Sequence, residues 1–210
     1  LDGVNQPADI AARAAELGRT SHAITDHGNV SAHPLWGAAA LKAGIKPIYG
    51  LEAYFTPSVA LDREKKRRTN THMTILAETE EGYRNLLAMV SESHKDGFYY
   101  RALVDEANIE RHKTGLIFLS GCLSSMMSRQ ILEHEGDVGI QRGIAMAEYW
   151  RELVGADNYF LETQLFDIEK AQRANSGIIR VANATGIPLV VTNDVHMLSA
   201  EERETRRMLH

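Results

Sequence analysis

The chain has 210 residues, of which 44% are hydrophobic and 24% are charged, and its formal net charge is -5. These values are ordinary for a globular protein and leave enough apolar material for one large core. The acidic balance excludes a chain that is basic over its whole surface, so any contact with DNA must be local. A single cysteine excludes an internal disulfide and fits a reducing cytosol. No apolar run reaches the ~18 residues of a membrane span, so we expect no membrane partner.

Taken in chain order, apolar spacing and turn residues predict strands and helices that alternate. The predicted helices are 7–17, 33–43, 80–94, 104–112, 124–134, 138–153 and 168–184. The predicted strands are 20–24, 46–55, 72–77, 115–120, 158–162 and 188–192. Alternation of this kind favours a parallel α/β sheet, open or closed into a barrel. Ser199 and Glu202 have the spacing of a capping box, which predicts one more helix near the end of the chain.

Polar residues with metal-binding chemistry follow two of the predicted strands. Asp26 and His27 follow the apolar pair Ala23-Ile24 after one residue, Thr25, and Asp194 and His196 follow the strand 188–192. Alternate residues of an extended chain share a face, so Asp194 and His196 can present two ligands on one side. Carboxylates and imidazoles both bind divalent metals. We expect the two strand ends to contribute to one site, although His27 taken alone could equally serve as a capping residue.

Three further residues are candidates for the same site. Glu52 lies between apolar neighbours in a predicted strand, and a buried carboxylate needs a partner charge or a metal. Cys122 follows the buried strand 115–120 and is either an inert core thiol or a thiolate ligand. His72 begins its strand instead of ending it, and the sequence gives no local reason for this. Asp2 supplies one more carboxylate near the start of the chain.

These residues together form a mixed set of imidazoles, carboxylates and one thiol. The set comprises Asp2, His27, Glu52, His72, Cys122, Asp194 and His196. Such a mixture suits zinc or manganese, with carboxylates able to bridge two ions. Two or three ions held in this way stabilise the attacking and leaving oxygens of a phosphoryl transfer and lower the pKa of a bound water.

A polar segment, 57–71, separates two of the predicted strands, and we predict that it is a mobile loop. It contains the basic segment Arg63–Arg68, within which the run Lys65–Arg68 is either a solvated stretch or a contact for phosphate backbone. Further along, Gly97-Phe98-Tyr99-Tyr100 predicts an aromatic turn.

Several stretches, taken in order, resemble one family. They are Leu1-Asp2-Gly3, 23–29 (AITDHGN), 43–54 (AGIKPIYGLEAY), 72–77 (HMTILA), 97–101 (GFYYR), 119–122 (LSGC), 157–162 (DNYFLE) and 192–196 (TNDVH). Over essentially the whole chain they resemble the PHP (polymerase and histidinol phosphatase) domain of bacterial replicative DNA polymerase III alpha subunits. Gly28-Asn29 resembles the replicative branch, since the error-prone branch usually has a second Asp there.

The resemblance implies a distorted (β/α)7 barrel of the PHP type, occupying residues 1–210, with two to three divalent metal ions in its mouth. It implies a metal-dependent 3′–5′ proofreading exonuclease within a DNA-directed DNA polymerase. All seven residues of the mixed set match ligand positions of the family, and we assign catalytic roles to His27, Glu52, Asp194 and His196. One metal position would use Asp2, His27 and His196, and another would use Glu52, His72 and Cys122.

The implied partners are the 3′ end of a DNA primer, the remaining polymerase domains and the other replicase subunits, in the bacterial cytoplasm. The family's first strand ends in a His-x-His pair just upstream of Leu-Asp-Gly. We therefore expect this chain to be a fragment that lacks the first barrel strand and has an incomplete site. Two other functions remain open at this point: a stand-alone phosphoesterase of the histidinol-phosphatase type, and a non-catalytic scaffold.

Overall fold

The computed structural model describes residues 3–68, 70–134 and 136–208, and these fall into two units. The first unit contains the described residues of segments 1–24, 30–49 and 194–210. The second unit contains those of segments 25–29 and 50–193. The expectation of one domain over residues 1–210 stays a prediction. Among the described helices, none has the length and apolar character needed to cross a membrane.

Helices and strands alternate along most of the described chain. The helices are α1 (Pro7–Glu16), α2 (His33–Lys42), α3 (Val59–Glu64), α4 (Glu80–Lys95), α5 (Glu106–His112), α6 (Met126–Leu132), α7 (Gly136–Val154), α8 (Glu169–Thr185) and α9 (Arg203–Arg207), with a 3₁₀ turn at Ala200–Glu202. The strands are β1 (Ser21–Ile24), β2 (Lys46–Phe55), β3 (Thr71–Ala77), β4 (Phe98–Tyr99), β5 (Arg101–Val104), β6 (Leu116–Leu119), β7 (Tyr159–Gln164) and β8 (Leu189–Thr192).

In the first unit, α1 and α2 form a small core with β1. Its buried members are Ala11, Ala14, Ile24, Trp36, Ala40 and Ile45. Small alanines on both helices allow them to approach closely, while Trp36 supplies most of the apolar volume. β1 pairs in parallel with the beginning of β2, from Ser21 opposite Lys46 to Ile24 opposite Tyr49.

The second unit is built on an open, curled sheet with the strand order β4-β5-β2-β3-β6-β7-β8. The parallel pairs are β2 with β5, β6 with β7, and β7 with β8. Within the described residues, the hydrogen-bonded path ends at β4 on one side and at β8 on the other. This arrangement confirms the predicted α/β class.

The prediction of a parallel sheet is wrong for β3, which runs antiparallel to both of its neighbours, β2 and β6. The segment between β2 and β3 returns the chain directly to the neighbouring position, where Phe55 pairs with Thr71. An antiparallel neighbour can be reached from the adjacent strand end, so the chain does not have to cross the sheet before β3 begins. As a result, the beginning of β3 lies at the same edge as the ends of β2 and β6.

The prediction of a mobile loop over 57–71 is also wrong, because α3 occupies residues 59–64. The Ser58 hydroxyl caps the helix by accepting a hydrogen bond from the N–H of Leu61 at 3.4 Å. Asp62 is buried, and it accepts hydrogen bonds from the Thr56 hydroxyl at 2.5 Å and from Arg67 at 3.0 Å. Because Thr56 and Arg67 compensate its charge, the Asp62 carboxylate can be buried, and these contacts hold α3 in place.

Two other expectations need correction. Val104, which was predicted to begin a helix, instead ends the strand β5, and the helix α5 starts after its cap Asp105. The capping box is not formed, because the side chain of Ser199 makes no capping hydrogen bond. The Glu202 carboxylate instead accepts a hydrogen bond from the N–H of Leu198 at 2.7 Å. The aromatic turn is confirmed as the β4–β5 hairpin.

A close backbone approach joins the beginning of α4 to the turn that precedes β6. A Cβ on Gly82 would lie 1.7 Å from the carbonyl oxygen of Gly115. We expect Gly82→Ala to lower the free energy of unfolding by at least about 2 kcal/mol, since the backbone of one element must move. Urea denaturation measures this change. The neighbouring exposed substitution Glu81→Ala is the control and should change stability by less than about 0.5 kcal/mol. Wild-type stability in Gly82→Ala would contradict the close approach.

Candidate metal centre

His27 and Glu52 are brought together by an extension of strand pairing beyond β1. The N–H of Glu52 donates to the carbonyl of Asp26 at 3.1 Å, and the N–H of Gly28 donates to the carbonyl of Glu52 at 3.0 Å. These two bonds place His27 opposite Glu52 as an isolated parallel bridge. Nδ1 of His27 then lies 3.3 Å from Oε2 of Glu52. The predicted strand-end position of His27 therefore has a definite partner within the second unit.

Gly28 permits a ring to lie against this backbone. Its φ is +63°, and a Cβ at this position would lie 3.1 Å from the ring of Tyr54. Because glycine has no side chain there, the Tyr54 ring can stack on the His27 imidazole, with ring centres 5.5 Å apart and planes 7° apart. Stacking on one face limits the orientations that the imidazole can take.

The reversed direction of β3 explains why His72 begins its strand. His72 pairs with Tyr54 of β2, and Thr74 pairs with Glu52. Residues 72 and 74 share one face of the sheet with 52 and 54, so the His72 and Glu52 side chains meet on that face. Nδ1 of His72 lies 2.9 Å from Oε1 of Glu52. A residue at the beginning of an antiparallel strand thus reaches the same edge as residues at the ends of parallel strands.

Each oxygen of the Glu52 carboxylate therefore faces one imidazole. The ligand atoms of His27, Glu52 and His72 all lie within 4.8 Å of one another. Glu52 is 7% exposed, so its charge must be balanced by these neighbours or by a bound cation. Two imidazole nitrogens and a carboxylate oxygen at this spacing are a suitable donor set for zinc or manganese.

Cys122 lies next to this group. Gly121, with φ of +88°, turns the chain after β6, and Cys122 Sγ then lies 3.4 Å from Nδ1 of His72. The N–H of Ser124 also approaches this sulfur at 3.4 Å. A buried thiol beside an imidazole is placed to become a thiolate if a cation binds there. Its predicted role as a ligand remains open beside the alternative of a core thiol.

Asp194 and His196 belong to the first unit, where they contact each other. Nε2 of His196 lies 3.0 Å from Oδ1 of Asp194. Asp194 has φ of +49°, which is strained for a residue with a side chain. The predicted participation of this pair in metal binding stays a prediction, and Asp2 lies outside the described residues. Within the second unit, His27 is found with Glu52 and His72, which we had expected at a different metal position.

Glu162, another buried acid of the second unit, was not predicted as a site residue from the sequence. Its carboxylate is 3% exposed and lies on β7. It accepts hydrogen bonds from four groups: the Thr74 hydroxyl (3.2 Å), the Gly121 N–H (3.1 Å), the Gln164 amide (3.4 Å) and the Thr192 hydroxyl (2.5 Å). Glu162, like Glu52, follows a leucine in a predicted strand, so the same pattern could have identified it. Through these hydrogen bonds, Glu162 connects β7 to β3, to β8 and to the turn before Cys122.

A comparison with known families decides the relationship. The family model described as "PHP domain" matches residues 1–165. The chain belongs to the PHP domain family. Most of the site lies inside the matched range, which holds His27, Glu52, His72 and Cys122. The resemblance inferred from the sequence motifs is therefore confirmed.

Relatives of this PHP chain include large replication proteins. The DNA polymerase III subunit alpha of Treponema pallidum is 34% identical over 211 residues, and that of Deinococcus radiodurans is 32% identical over 218 residues. Both alignments cover 100% of this chain, which spans 18% of the first relative and 16% of the second. The chain is thus similar along its whole length to a small part of each relative.

Solved structures give a likeness in fold. A protein from Bifidobacterium adolescentis, described as a metal-dependent phosphoesterase, matches with a TM-score of 0.56 at 12% identity. The match covers 93% of this chain and 84% of that chain. At this identity the likeness concerns the fold alone, and it agrees with the PHP-type α/β sheet.

Burial raises the pKa of Glu162, and the hydrogen bonds from Thr192, Thr74 and Gln164 offset only part of this effect. Below about pH 4.5, both the folded and the unfolded chain hold the proton. As the pH rises from there through the raised pKa of the folded state, the unfolded chain loses its proton first and stability falls. We therefore expect wild-type stability, relative to Glu162→Gln, to decline with rising pH.

Urea midpoints between about pH 4 and pH 8, with a chelator present, measure this decline. Glu152→Gln, at an exposed position of α7, is the matched control and should follow the wild type. A constant difference in stability between the wild type and Glu162→Gln over this range would show that the buried carboxyl does not titrate as expected.

Proposed function

We propose that this chain is the PHP domain of the alpha subunit of a bacterial replicative DNA polymerase III, and that it acts as a metal-dependent 3′–5′ exonuclease in the intact polypeptide. The single observation that carries the proposal is the His27, Glu52 and His72 group. It is supported by the similarity of the whole chain to polymerase alpha subunits. The other polymerase domains and replicase subunits would be its partners in the bacterial cytoplasm, and they would deliver the primer end.

The residues of the second unit fit a divalent cation by their donor chemistry. His27, Glu52 and His72 would hold it, and Cys122 is close enough to His72 to contribute a thiolate. A bound ion would lower the pKa of a water and stabilise negative charge on a scissile phosphate. We propose zinc or manganese, with two to three ions in all, and assign Asp2, Asp194 and His196 to the remaining positions.

The protein residues have separate roles in this proposal. Glu52 supplies the negative charge and orients both imidazoles through its two oxygens. The stacked Tyr54 ring holds His27 in one orientation, so the ligand geometry is set before a cation arrives. Metal binding needs imidazole nitrogens with free lone pairs, and Glu52 faces one nitrogen of each ring.

Glu52→Gln tests the proposal most directly, because it keeps the side-chain shape and removes the charge that both imidazoles face. In the intact polypeptide we expect metal affinity to fall at least roughly tenfold. Cleavage of a labelled, mismatched primer should fall with it. Metal content is measured by elemental analysis after dialysis, and cleavage by gel electrophoresis of the primer.

Glu92→Gln is the matched control, because Glu92 also faces a histidine, with Oε2 2.8 Å from Nε2 of His112. Metal content and cleavage should be unchanged in this variant. Undiminished cleavage in Glu52→Gln would place the exonuclease elsewhere and leave this domain a scaffold. Release of phosphate from a small phosphomonoester, without action on single-stranded DNA, would instead favour a phosphatase of the histidinol-phosphatase type.

Cys122→Ser separates the two roles open to the thiol. If Cys122 is a ligand, as we propose, metal occupancy should fall while the melting temperature of the metal-free protein changes little. A core thiol would behave in the opposite way, with a loss of roughly 1 kcal/mol or more from the buried hydroxyl and unchanged metal content. Ser124→Ala, at the exposed neighbouring position, is the control for both measurements.

A further inference from the structure

A row of aromatic rings and guanidinium groups leads away from the candidate metal ligands within the second unit. It starts where the Tyr54 ring stacks on the His27 imidazole. The Arg101 guanidinium lies over the Tyr54 ring, 4.4 Å from the ring centre. Arg101 is exposed and begins β5, so a cation lies at the surface directly beside a ring that touches the ligand group.

The row continues to the turn between β4 and β5, where Tyr100 lies. Its side chain is 56% exposed, and the Arg68 guanidinium lies 4.0 Å from its ring centre. Tyr99 packs edge-on against it with ring centres 4.8 Å apart. Tyr100 also has φ of +61°, which is rare for a bulky residue. Strain of this kind is stored most often where function requires a side chain to point in a particular direction.

The basic segment Arg63–Arg68 is fixed in place beside this turn. Arg67 pairs with the buried Asp62 at 3.0 Å. Arg63 donates hydrogen bonds to the carbonyl oxygens of Asp96 and Phe98 at 2.7 and 3.1 Å. The segment therefore contacts the β4–β5 hairpin at two points, through Arg63 at Phe98 and through Arg68 at Tyr100, which does not favour a freely solvated stretch.

The chemistry of this surface combines positive charge with exposed ring faces. The basic segment carries five cations and one carboxylate, in a chain whose net charge is -5. Cations attract phosphates, while tyrosine rings and guanidinium planes stack on nucleobases. A duplex keeps its base faces inside the helix, and an acidic peptide has charge without planar bases. Only a single-stranded polynucleotide uses both features.

We propose that the basic segment, Tyr100, Arg101 and Tyr54 form a docking surface for a single-stranded polynucleotide. Its phosphates lie along the cations, one base stacks on the exposed Tyr100 ring and another on the Arg101 guanidinium plane that covers Tyr54, and the strand leads toward His27. This inference deepens the proposed function and rests on it only for the cleavage of the strand at the metal ligands. Binding at the surface itself needs no metal and no cleavage.

Photocrosslinking tests the surface in the intact polypeptide, where other DNA sites would obscure a simple binding curve. A single strand of thymidines carrying 5-iododeoxyuridine forms a covalent bond on irradiation with an aromatic ring stacked on the base. The reaction is run with a chelator present, so that cleavage does not enter. Mass spectrometry of the digested protein should find the strand on Tyr100. The yield at Tyr100 against strand concentration gives an apparent affinity for this surface alone.

Arg101→Gln should weaken this affinity roughly 5- to 100-fold, as expected for the loss of one stacked base. Arg68→Gln should also weaken it, and should reduce the slope of log affinity against log salt by about 0.7. Tyr149→Ala on α7 and Arg173→Gln on α8 are matched controls at exposed positions and should change nothing.

Crosslinks that map away from Tyr100 would overturn the inference. Competition by duplex DNA or by polyglutamate as strong as that by an unlabelled single strand would also overturn it, since charge alone would then explain binding. If the proposed function fails instead, crosslinks at Tyr100 would persist while the metal-loaded protein leaves the primer intact. Failure of the inference alone would leave cleavage of the primer intact in Tyr100→Ala.

Discussion

A carboxylate inside an apolar strand must be balanced, and the way Glu52 is balanced organises the second unit. Its backbone pairs with residues 26–28, and its side chain faces His27 with one oxygen and His72 with the other. Glu52 therefore brings together His27 and His72, which lie far apart in the sequence. The cost of burying the charge is offset only while both neighbours stay in place, so the pairing of the strands and the integrity of the site depend on each other.

Tyr54 connects this ligand group to the protein surface. Two residues after Glu52 on the same face of β2, it lies between the His27 imidazole and the Arg101 guanidinium. A Cβ at Gly28 would lie only 3.1 Å from the Tyr54 ring, so the glycine leaves room for it. The same glycine that shapes the turn after His27 thus also permits the contact through which the ligand group meets a basic and aromatic surface.

The sequence predicted most elements of the fold, because apolar spacing and cap residues act locally, and it identified His27 and Glu52 from their positions on strands. It could not predict the direction of β3, which depends on pairing with distant strands, so the place of His72 stayed unexplained. Glu162 was missed although its sequence context resembles that of Glu52. The helix α3 was missed because it depends on the burial of Asp62 between Thr56 and Arg67, and a polar, basic composition does not reveal that an acid in it is buried.

The central position of β3 has a consequence for folding kinetics. His72 reaches Cys122 across 50 residues of chain, and Glu52 lies on a different neighbouring strand. The ligand group therefore consists of non-local contacts, which form late because loop closure opposes them until the surrounding strands have paired. An ion bound by these residues would interact with the native state and only weakly with unfolded chains, and it would slow unfolding by holding β2, β3 and the turn after β6 together.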